Sequence, residues 1–99
     1  MGQPDVMGQP KSVTVVVAGR VQGVAYRAWT KREADGRGLT GHVRNCADGT
    51  VEAVFTGPET EVDAMVQACW AGPPGARVET VSVAARATPE SGTGFAIAH

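Results

Sequence analysis

The hydrophobic positions at the start of the chain predict a strand inside a sheet. Residues 12–18 are nearly all valine, and three of them share one face: Val13, Val15 and Val17. The other face is also largely apolar, which is typical of a strand with neighbours on both sides. Gly19 and Gly23 then break the extended run, so the strand is followed by a turn.

A helix and a hairpin are predicted next. Residues 24–35 contain good helix formers, and the helix should end near Gly36, since glycine costs about 1 kcal/mol inside a helix. Residues 42–46 and 50–56 then alternate as two strands. They are joined by Asp48-Gly49, a dipeptide suited to the positive φ angles of a tight hairpin turn. The two strands should therefore pair in antiparallel fashion.

A second helix begins at Gly57-Pro58. Proline fits the first helical position, and Glu59 and Glu61 complement the positive end of the helix dipole. Apolar residues recur at helical spacing and are expected in the core: Val62, Met65, Val66 and Cys69. Glycine and proline at 72–75 should end this helix.

The last elements complete a recognisable order. Residues 77–85 alternate as a strand, and Phe95 and Ile97 indicate a short closing strand. The order β-α-β-β-α-β plus a last strand is the split β-α-β arrangement of ferredoxin-like α+β folds, in which two helices cover one face of an antiparallel sheet. This fold alone indicates no function.

The length of 99 residues suits one hydrophobic core. The first ten residues contain MGQP twice and offer little to bury, so we expect a flexible tail over 1–10 and a single domain over 11–99. No long exposed apolar helix demands a partner, and a monomer is the expectation.

Charge and cysteine content narrow the possible partners. Nine basic and ten acidic residues give a net charge of -1, so we expect no nucleic acid or membrane partner, and any anion must be bound locally. No apolar run approaches the roughly 18 residues of a membrane helix. Cys46 and Cys69 have no metal-ligand spacing and there is no secretory signal, which together favour free thiols, no metal and a cytoplasmic location.

The turn over residues 19–27 is the first candidate site. A strand runs through glycines directly into a helix, where backbone N–H groups without an intrahelical partner can bind an anion. Arg27, in the first helical turn, adds a planar fork of donors that matches two phosphate oxygens. The pattern alone also permits a simpler interpretation, in which the glycines only turn the chain and Arg27 is a solvated surface residue.

Three spaced motifs resemble the acylphosphatase family. They read VQGVAYR, then GLTGHVRN, then DGTVE followed by Gly57-Pro58, and the likeness extends over nearly the whole chain. The family carries V-Q-G-V-x-F-R, G-L-x-G-W-V-R-N and D-G-x-V-E in the same order. Agreement over three such motifs favours the phosphate-site interpretation of the turn.

The resemblance implies hydrolysis of the carboxyl-phosphate bond of acyl phosphates, with no metal, cofactor or covalent nucleophile. The family arginine falls on Arg27 and the family asparagine on Asn45, as the catalytic residues. Arg27 would hold the phosphate together with backbone amides of Val21, Gln22, Gly23, Val24, Ala25 and Tyr26. Asn45 would orient the attacking water, but its amide is not basic at pH 7 and cannot remove the proton.

This chain departs from the family pattern at three positions. Tyr26 stands where phenylalanine is usual, His42 where tryptophan or another aromatic is usual, and Arg37 where leucine is usual. We expect the Tyr26 hydroxyl to need a partner. His42 and Arg37 are expected to affect packing, and His42 should point to the opposite face of its strand from Asn45.

Other residues are expected to have structural roles. Trp29 and Trp70 lie on predicted helices and are interpreted as packing residues. Cys46 should point away from Asn45, so a thiol nucleophile is not expected. Basic residues elsewhere are interpreted as a solvated face, namely Lys31, Arg32 and Arg44.

Alternative functions remain open on the sequence. An RNA-recognition module would need exposed aromatic residues on its strands, where this chain has valine and alanine. A non-catalytic domain that senses phosphate or carboxylate ligands would leave Arg27 and Asn45 unexplained. A piece of a larger carbamoyl-phosphate-using protein is a third possibility, although a free-standing enzyme is simpler. The sequence leaves carbamoyl phosphate, acetyl phosphate and 1,3-bisphosphoglycerate all open as substrates.

Overall fold

Five strands and two helices make up the part of the chain that the structure describes. The computed structural model describes residues 10–86 and 94–98. Its elements are β1 (Pro10–Arg20), α1 (Tyr26–Gly36), β2 (Thr40–Asn45), β3 (Val51–Pro58), α2 (Glu59–Ala71), β4 (Arg77–Ala85) and β5 (Phe95–Ile97). This order confirms the predicted ferredoxin-like α+β fold.

The strands form one sheet in the order β4-β1-β3-β2-β5. β1 pairs antiparallel with β3 and β4, and β2 pairs antiparallel with β3. β5 differs from the predicted antiparallel arrangement, because it joins the β2 edge in parallel. The edge beside β1 is already occupied by β4. β1 and β2 both run antiparallel to β3, and β5 runs parallel to β2. These three strands therefore run in one direction, and their carboxyl ends meet at the same end of the sheet.

One face of the sheet carries the core. Val13, Val15 and Val17 of β1 are at most 2% exposed and pack in one cluster with the buried residues of both helices. Full burial of one such side chain stabilises the fold by roughly 1.5–3 kcal/mol. The predicted stripe of α2 is confirmed, since Val62, Met65 and Cys69 are buried and Val66 packs against the cluster. Alternation in β1 and helical spacing in α2 therefore identified the buried faces of these two elements.

The start of α2 differs from the prediction. Pro58 is not the first helical residue but the N-cap, with φ −59° and ψ 139°. Its ψ is extended because Pro58 still pairs with Pro10 as the last residue of β3. Glu59 and Glu61 lie in the first turn of α2, as expected from the helix dipole.

Trp70 is not the buried packing residue that its position on a helix predicted. It is 48% exposed, because it follows Cys69 and lies about 100° around α2 from the buried stripe. Trp29 does pack, with its ring centroid 5.3 Å from that of Tyr26. Cys69 is buried and Cys46 half-buried, and both are free thiols, as expected.

Arg37 links the two helices. Its guanidinium lies 3.5 Å from the Glu33 carboxylate of α1 and 3.6 Å from the Glu61 carboxylate of α2. Partly exposed ion pairs of this kind contribute at most about 1 kcal/mol each. The predicted tail over residues 1–10 lies outside the described residues, except for Pro10, the first residue of β1.

Gly41 should be one of the most sensitive positions for stability. Its φ is +133°, and a Cβ built there would overlap the carbonyl oxygen of Val54 on β3. We expect Gly41→Ala to lower the free energy of unfolding by about 3 kcal/mol or more. Gly49 is the matched control, because its φ is +93° but nothing lies within 4 Å of its Cβ position.

Gly49→Ala should cost only about 1 kcal/mol, from backbone strain alone. Urea unfolding followed by circular dichroism measures both variants. Equal losses of stability in the two would show that the contact with the Val54 carbonyl is not what requires glycine at position 41.

Candidate active site

A concavity of ≈ 260 Å³ lies at the edge of the sheet where β1, β2 and β5 end. Its position follows from the strand order, because three parallel strands bring their carboxyl ends together. The turn between β1 and α1, the start of α1, the end of β2 and the end of β5 each contribute to its wall. The lining residues are Val21, Gly23, Ala25, Tyr26, Arg27, Ala28, Asn45 and Ile97.

The turn between β1 and α1 is held in an uncommon conformation. Gly23 has φ +78°, and Ala25 has φ +64° and ψ 27°, in the left-handed region. A non-glycine residue there costs roughly 1–2 kcal/mol, and such strain clusters at functional sites. Turns that pass through the left-handed region turn successive N–H groups toward one side and form concave anion sites. The backbone of this turn is therefore shaped for an anion.

Helix α1 points its positive end into the concavity. Ala25 is the N-cap, and no side chain caps the helix. Alanine is a poor capping residue, which leaves the first N–H groups of the helix to a ligand or solvent. The first turn also contains no acidic residue that would offset the helix dipole. An unassisted helix N-terminus in a concave wall is a ready site for phosphate.

The side chain of Gln22 fixes the turn to the neighbouring hairpin. Its Nε2 donates hydrogen bonds to the carbonyl oxygens of Cys46 and Thr50, each 2.8 Å away. These carbonyls flank the turn that joins β2 to β3, immediately after Asn45. The two parts of the candidate site are thus tied together. The sequence pattern did not indicate this role, because the hydrogen bonds join residues 24 and 28 positions apart.

The hairpin turn has its own internal support. The Oδ1 of Asp48 accepts hydrogen bonds from the backbone N–H of Thr50 at 3.0 Å and from its hydroxyl at 2.6 Å. These bonds hold the pKa of Asp48 below its ordinary value, with the hydroxyl as the larger cause. The predicted Asp48-Gly49 turn is confirmed, with Gly49 at φ +93°.

Arg27 and Asn45 line the same concavity, although they come from different elements. Arg27 is the second residue of α1 and is half-buried, whereas Asn45 is the last residue of β2 and is exposed. Among the described residues that line the concavity, Arg27 is the one with a charged side chain. The structure therefore brings together the pair of residues that the sequence motifs singled out.

The other predicted site residues divide into two groups. Val21, Gly23, Ala25 and Tyr26 line the concavity. Val24 instead packs its side chain against the core, and the Gln22 side chain is directed to the hairpin. For these two residues only the backbone amide remains available for the predicted role.

Tyr26 anchors the start of α1. Its ring is buried, and its hydroxyl donates a 2.7 Å hydrogen bond to the carbonyl oxygen of Cys69 in α2. The expected need for a hydroxyl partner is confirmed. Burial raises the pKa of Tyr26 above its ordinary value, so the hydroxyl stays protonated at neutral pH. Burial likewise raises the pKa of the Cys69 thiol to about 11, which makes it unreactive.

His42 and Cys46 do not line the concavity. His42 lies opposite Val54 and Asn45 lies opposite Val51 across the β2–β3 ladder, so the two side chains point to opposite faces of the sheet. This confirms the predicted orientation of His42. Arg44 also lies on the opposite face from Asn45 and pairs with the Glu52 carboxylate at 2.8 Å.

Sequence reasoning missed two residues of the wall, Ala28 and Ile97. Neither carries a functional group, so no chemical signal marked them. Within residues 10–86 and 94–98, no three histidine, cysteine or acidic side chains lie close enough together to hold a metal ion. No helix in this part of the chain is long and apolar enough to cross a membrane.

The fold and this site define a class of small α+β proteins with a glycine-containing turn that leads into an uncapped helix N-terminus. The sequence model of the acylphosphatase family matches residues 13–97. A protein of Azorhizobium caulinodans named acylphosphatase is 54% identical over 84 residues, which cover 85% of this chain and 90% of the relative. One of Rhodospirillum rubrum with the same name is 55% identical over 80 residues, covering 81% and 88% of the two chains.

Solved structures agree with the sequence relatives. The crystal structure of acylphosphatase from Bacillus subtilis has a TM-score of 0.87 and 37% identity, and the match covers 90% of this chain and 99% of that one. An acylphosphatase structure from Coxiella burnetii has a TM-score of 0.86 and 31% identity, covering 90% and 93%. The chain belongs to the acylphosphatase family, which confirms the resemblance seen in its motifs.

Proposed function

We propose that this chain hydrolyses the carboxyl-phosphate bond of acyl phosphates to a carboxylate and inorganic phosphate. Membership of the acylphosphatase family supports the reaction. The single structural observation that carries the proposal is the shared concavity of Arg27, Asn45 and the uncapped start of α1.

In this proposal the turn and Arg27 hold the phosphate. Backbone N–H groups of residues 21–26 and the positive end of α1 face the anion, and the Arg27 guanidinium gives two parallel hydrogen bonds to its oxygens. The turn and the start of α1 are anchored before the substrate arrives, through the Gln22 and Tyr26 hydrogen bonds to other elements. Preorganised donors of this kind stabilise the charge that develops on the phosphoryl oxygens in the transition state.

Asn45 positions the water on the other side of phosphorus. Its side-chain amide accepts a hydrogen bond from the water or donates one to it, and it cannot remove a proton at pH 7. The water oxygen forms a bond to phosphorus while the bond to the carboxyl oxygen breaks, and the carboxylate departs with the electron pair. The water proton passes to an oxygen of the released phosphate. Phosphoryl transfer with such a good leaving group asks mainly for alignment and charge stabilisation.

The cellular location and the oligomeric state of the protein are also matters of proposal. We propose a cytoplasmic monomer that acts on a small-molecule acyl phosphate. The large hydrophobic residues exposed in the described part of the chain are Trp70 on α2 and Val83 on β4. Single exposed hydrophobic residues of this kind are common on monomeric proteins.

The direct test is phosphate release from acetyl phosphate and benzoyl phosphate by the purified chain in the presence of EDTA. We expect hydrolysis at the same rate with and without the chelator, because the proposed site uses only protein groups. A colorimetric phosphate assay measures it. Activity lost on chelation would reveal a required metal, and saturable phosphate binding without any turnover would favour the non-catalytic sensing domain.

A further inference from the structure

Two apolar side chains in the concavity have no part in holding the phosphate. Ala28 follows Arg27 on α1 and is exposed, and Ile97 ends β5 and is half-buried. They come from two different elements, which the hydrogen bond from Lys31 to the Phe95 carbonyl joins. A phosphate needs donors and positive charge, and neither side chain offers them. This apolar part of the wall, Ala28 and Ile97, is therefore available to another part of the ligand.

Two basic residues near this wall have other partners, and two exposed ones, Arg20 and Arg32, do not line the concavity. The Nζ of Lys31, one turn along α1 from Ala28, lies 2.8 Å from the Asp35 carboxylate and donates to the carbonyl oxygen of Phe95 at 3.0 Å. Arg44, next to Asn45, is paired with Glu52 on the opposite face of the sheet. Among the described lining residues Arg27 thus supplies the positive charge alone, and it is needed for the phosphate.

Resting on the proposed function, we infer that Ala28 and Ile97 contact the acyl group and set a preference for acyl phosphates with a neutral, apolar acyl group. Apolar contact with these side chains stabilises an apolar acyl group by removing both surfaces from water. A second anionic group on the substrate would lose hydration against the same wall without gaining a cation. The wall therefore discriminates against acyl phosphates that carry a second carboxylate or phosphate.

The first experiment measures how Ile97 affects the choice between benzoyl phosphate and acetyl phosphate. We expect Ile97→Ala to lower the ratio of their kcat/KM values by about 10-fold, the scale of a lost apolar contact in a specificity pocket. The matched control is Val83→Ala on β4, which truncates an exposed apolar residue that does not line the concavity. An unchanged ratio in folded Ile97→Ala overturns the inference.

Ile97 also packs against the core, so a second pair of variants uses the exposed position 28. The substrates are benzoyl phosphate and succinyl phosphate, which carries a distal carboxylate. The wild-type chain should favour benzoyl phosphate, and Ala28→Arg should raise the relative kcat/KM for succinyl phosphate by roughly 5-fold, the effect of a new exposed ion pair. Ala28→Gln provides a side chain of similar reach without the charge.

The outcomes distinguish a failure of the proposed hydrolysis from a failure of the inferred preference for apolar acyl groups. If the wild-type chain hydrolyses none of these substrates, the proposed function fails and the inference fails with it. If it hydrolyses them but favours succinyl phosphate, or if the arginine and glutamine variants give the same ratio, the inference alone is wrong.

Discussion

Replacement of Arg27 by alanine is expected to lower kcat/KM for acetyl phosphate by about 10²-fold or more, the effect of losing one preorganised transition-state donor. Arg27 is the charged side chain among the residues that line the concavity, and it sits in the first turn of α1 beside the strained backbone at Ala25. Backbone N–H groups would remain in the variant, but the bidentate contact and the positive charge would be absent. We expect losses in both kcat and substrate affinity.

Two comparisons make the result specific to Arg27. Arg27→Lys should recover little activity, because an ammonium group cannot give the two parallel hydrogen bonds of a guanidinium. Arg32→Ala removes the same charge from an exposed position of α1 outside the concavity and should leave activity close to that of the wild-type chain. Full activity in Arg27→Ala, with circular dichroism showing a folded protein, would remove Arg27 from the mechanism.

Replacement of Asn45 by alanine is expected to lower kcat by about 10²-fold with a much smaller change in KM. The groups proposed to hold the phosphate lie on the turn and on α1, whereas Asn45 lies on β2, so the two proposed functions belong to different elements. Losing Asn45 should therefore leave substrate bound but its attacking water poorly aligned. Asn45 is exposed at the end of its strand, so the change should cost little stability.

Steady-state kinetics with benzoyl phosphate measure kcat and KM separately for the Asn45→Ala variant. Arg44→Ala is the neighbouring control, because Arg44 precedes Asn45 on β2 but points to the opposite face and pairs with Glu52. It should retain near wild-type kcat. An Asn45→Ala variant with a strongly raised KM and an unchanged kcat would show that Asn45 binds the substrate and does not align the water.

Local patterns in the sequence predicted most of the elements. The strand over 77–85 appears with the predicted bounds, and the valine face of β1 and the stripe of α2 both lie in the core. Predictions were wrong where a long-range contact decided the outcome. Pro58 stays extended because it pairs with Pro10. β5 joins the sheet beside β2, where it runs parallel, because β4 occupies the other edge of the sheet.

In the candidate site, too, some residues could be predicted from the sequence and others could not. The hydrophobic pattern identified a glycine-containing turn into a helix but left open whether Arg27 was a ligand-binding or a solvated residue. The motifs shared with a known family then selected Arg27 and Asn45. Ala28 and Ile97 carried no signal at all, since an apolar side chain in a sequence does not show which cavity it lines.

By itself, the sequence determined the order of the elements, the buried faces of β1 and α2, and the turn and motifs proposed to carry the chemistry, because periodicity and turn residues act over a few neighbouring positions. The tertiary structure alone decided that β3 lies between β1 and β2 and that three carboxyl ends therefore meet at one edge. It also decided the Gln22 bonds that join the turn to the hairpin. Such contacts depend on strand order and register, which are fixed by the packing of the whole core and not by any one segment.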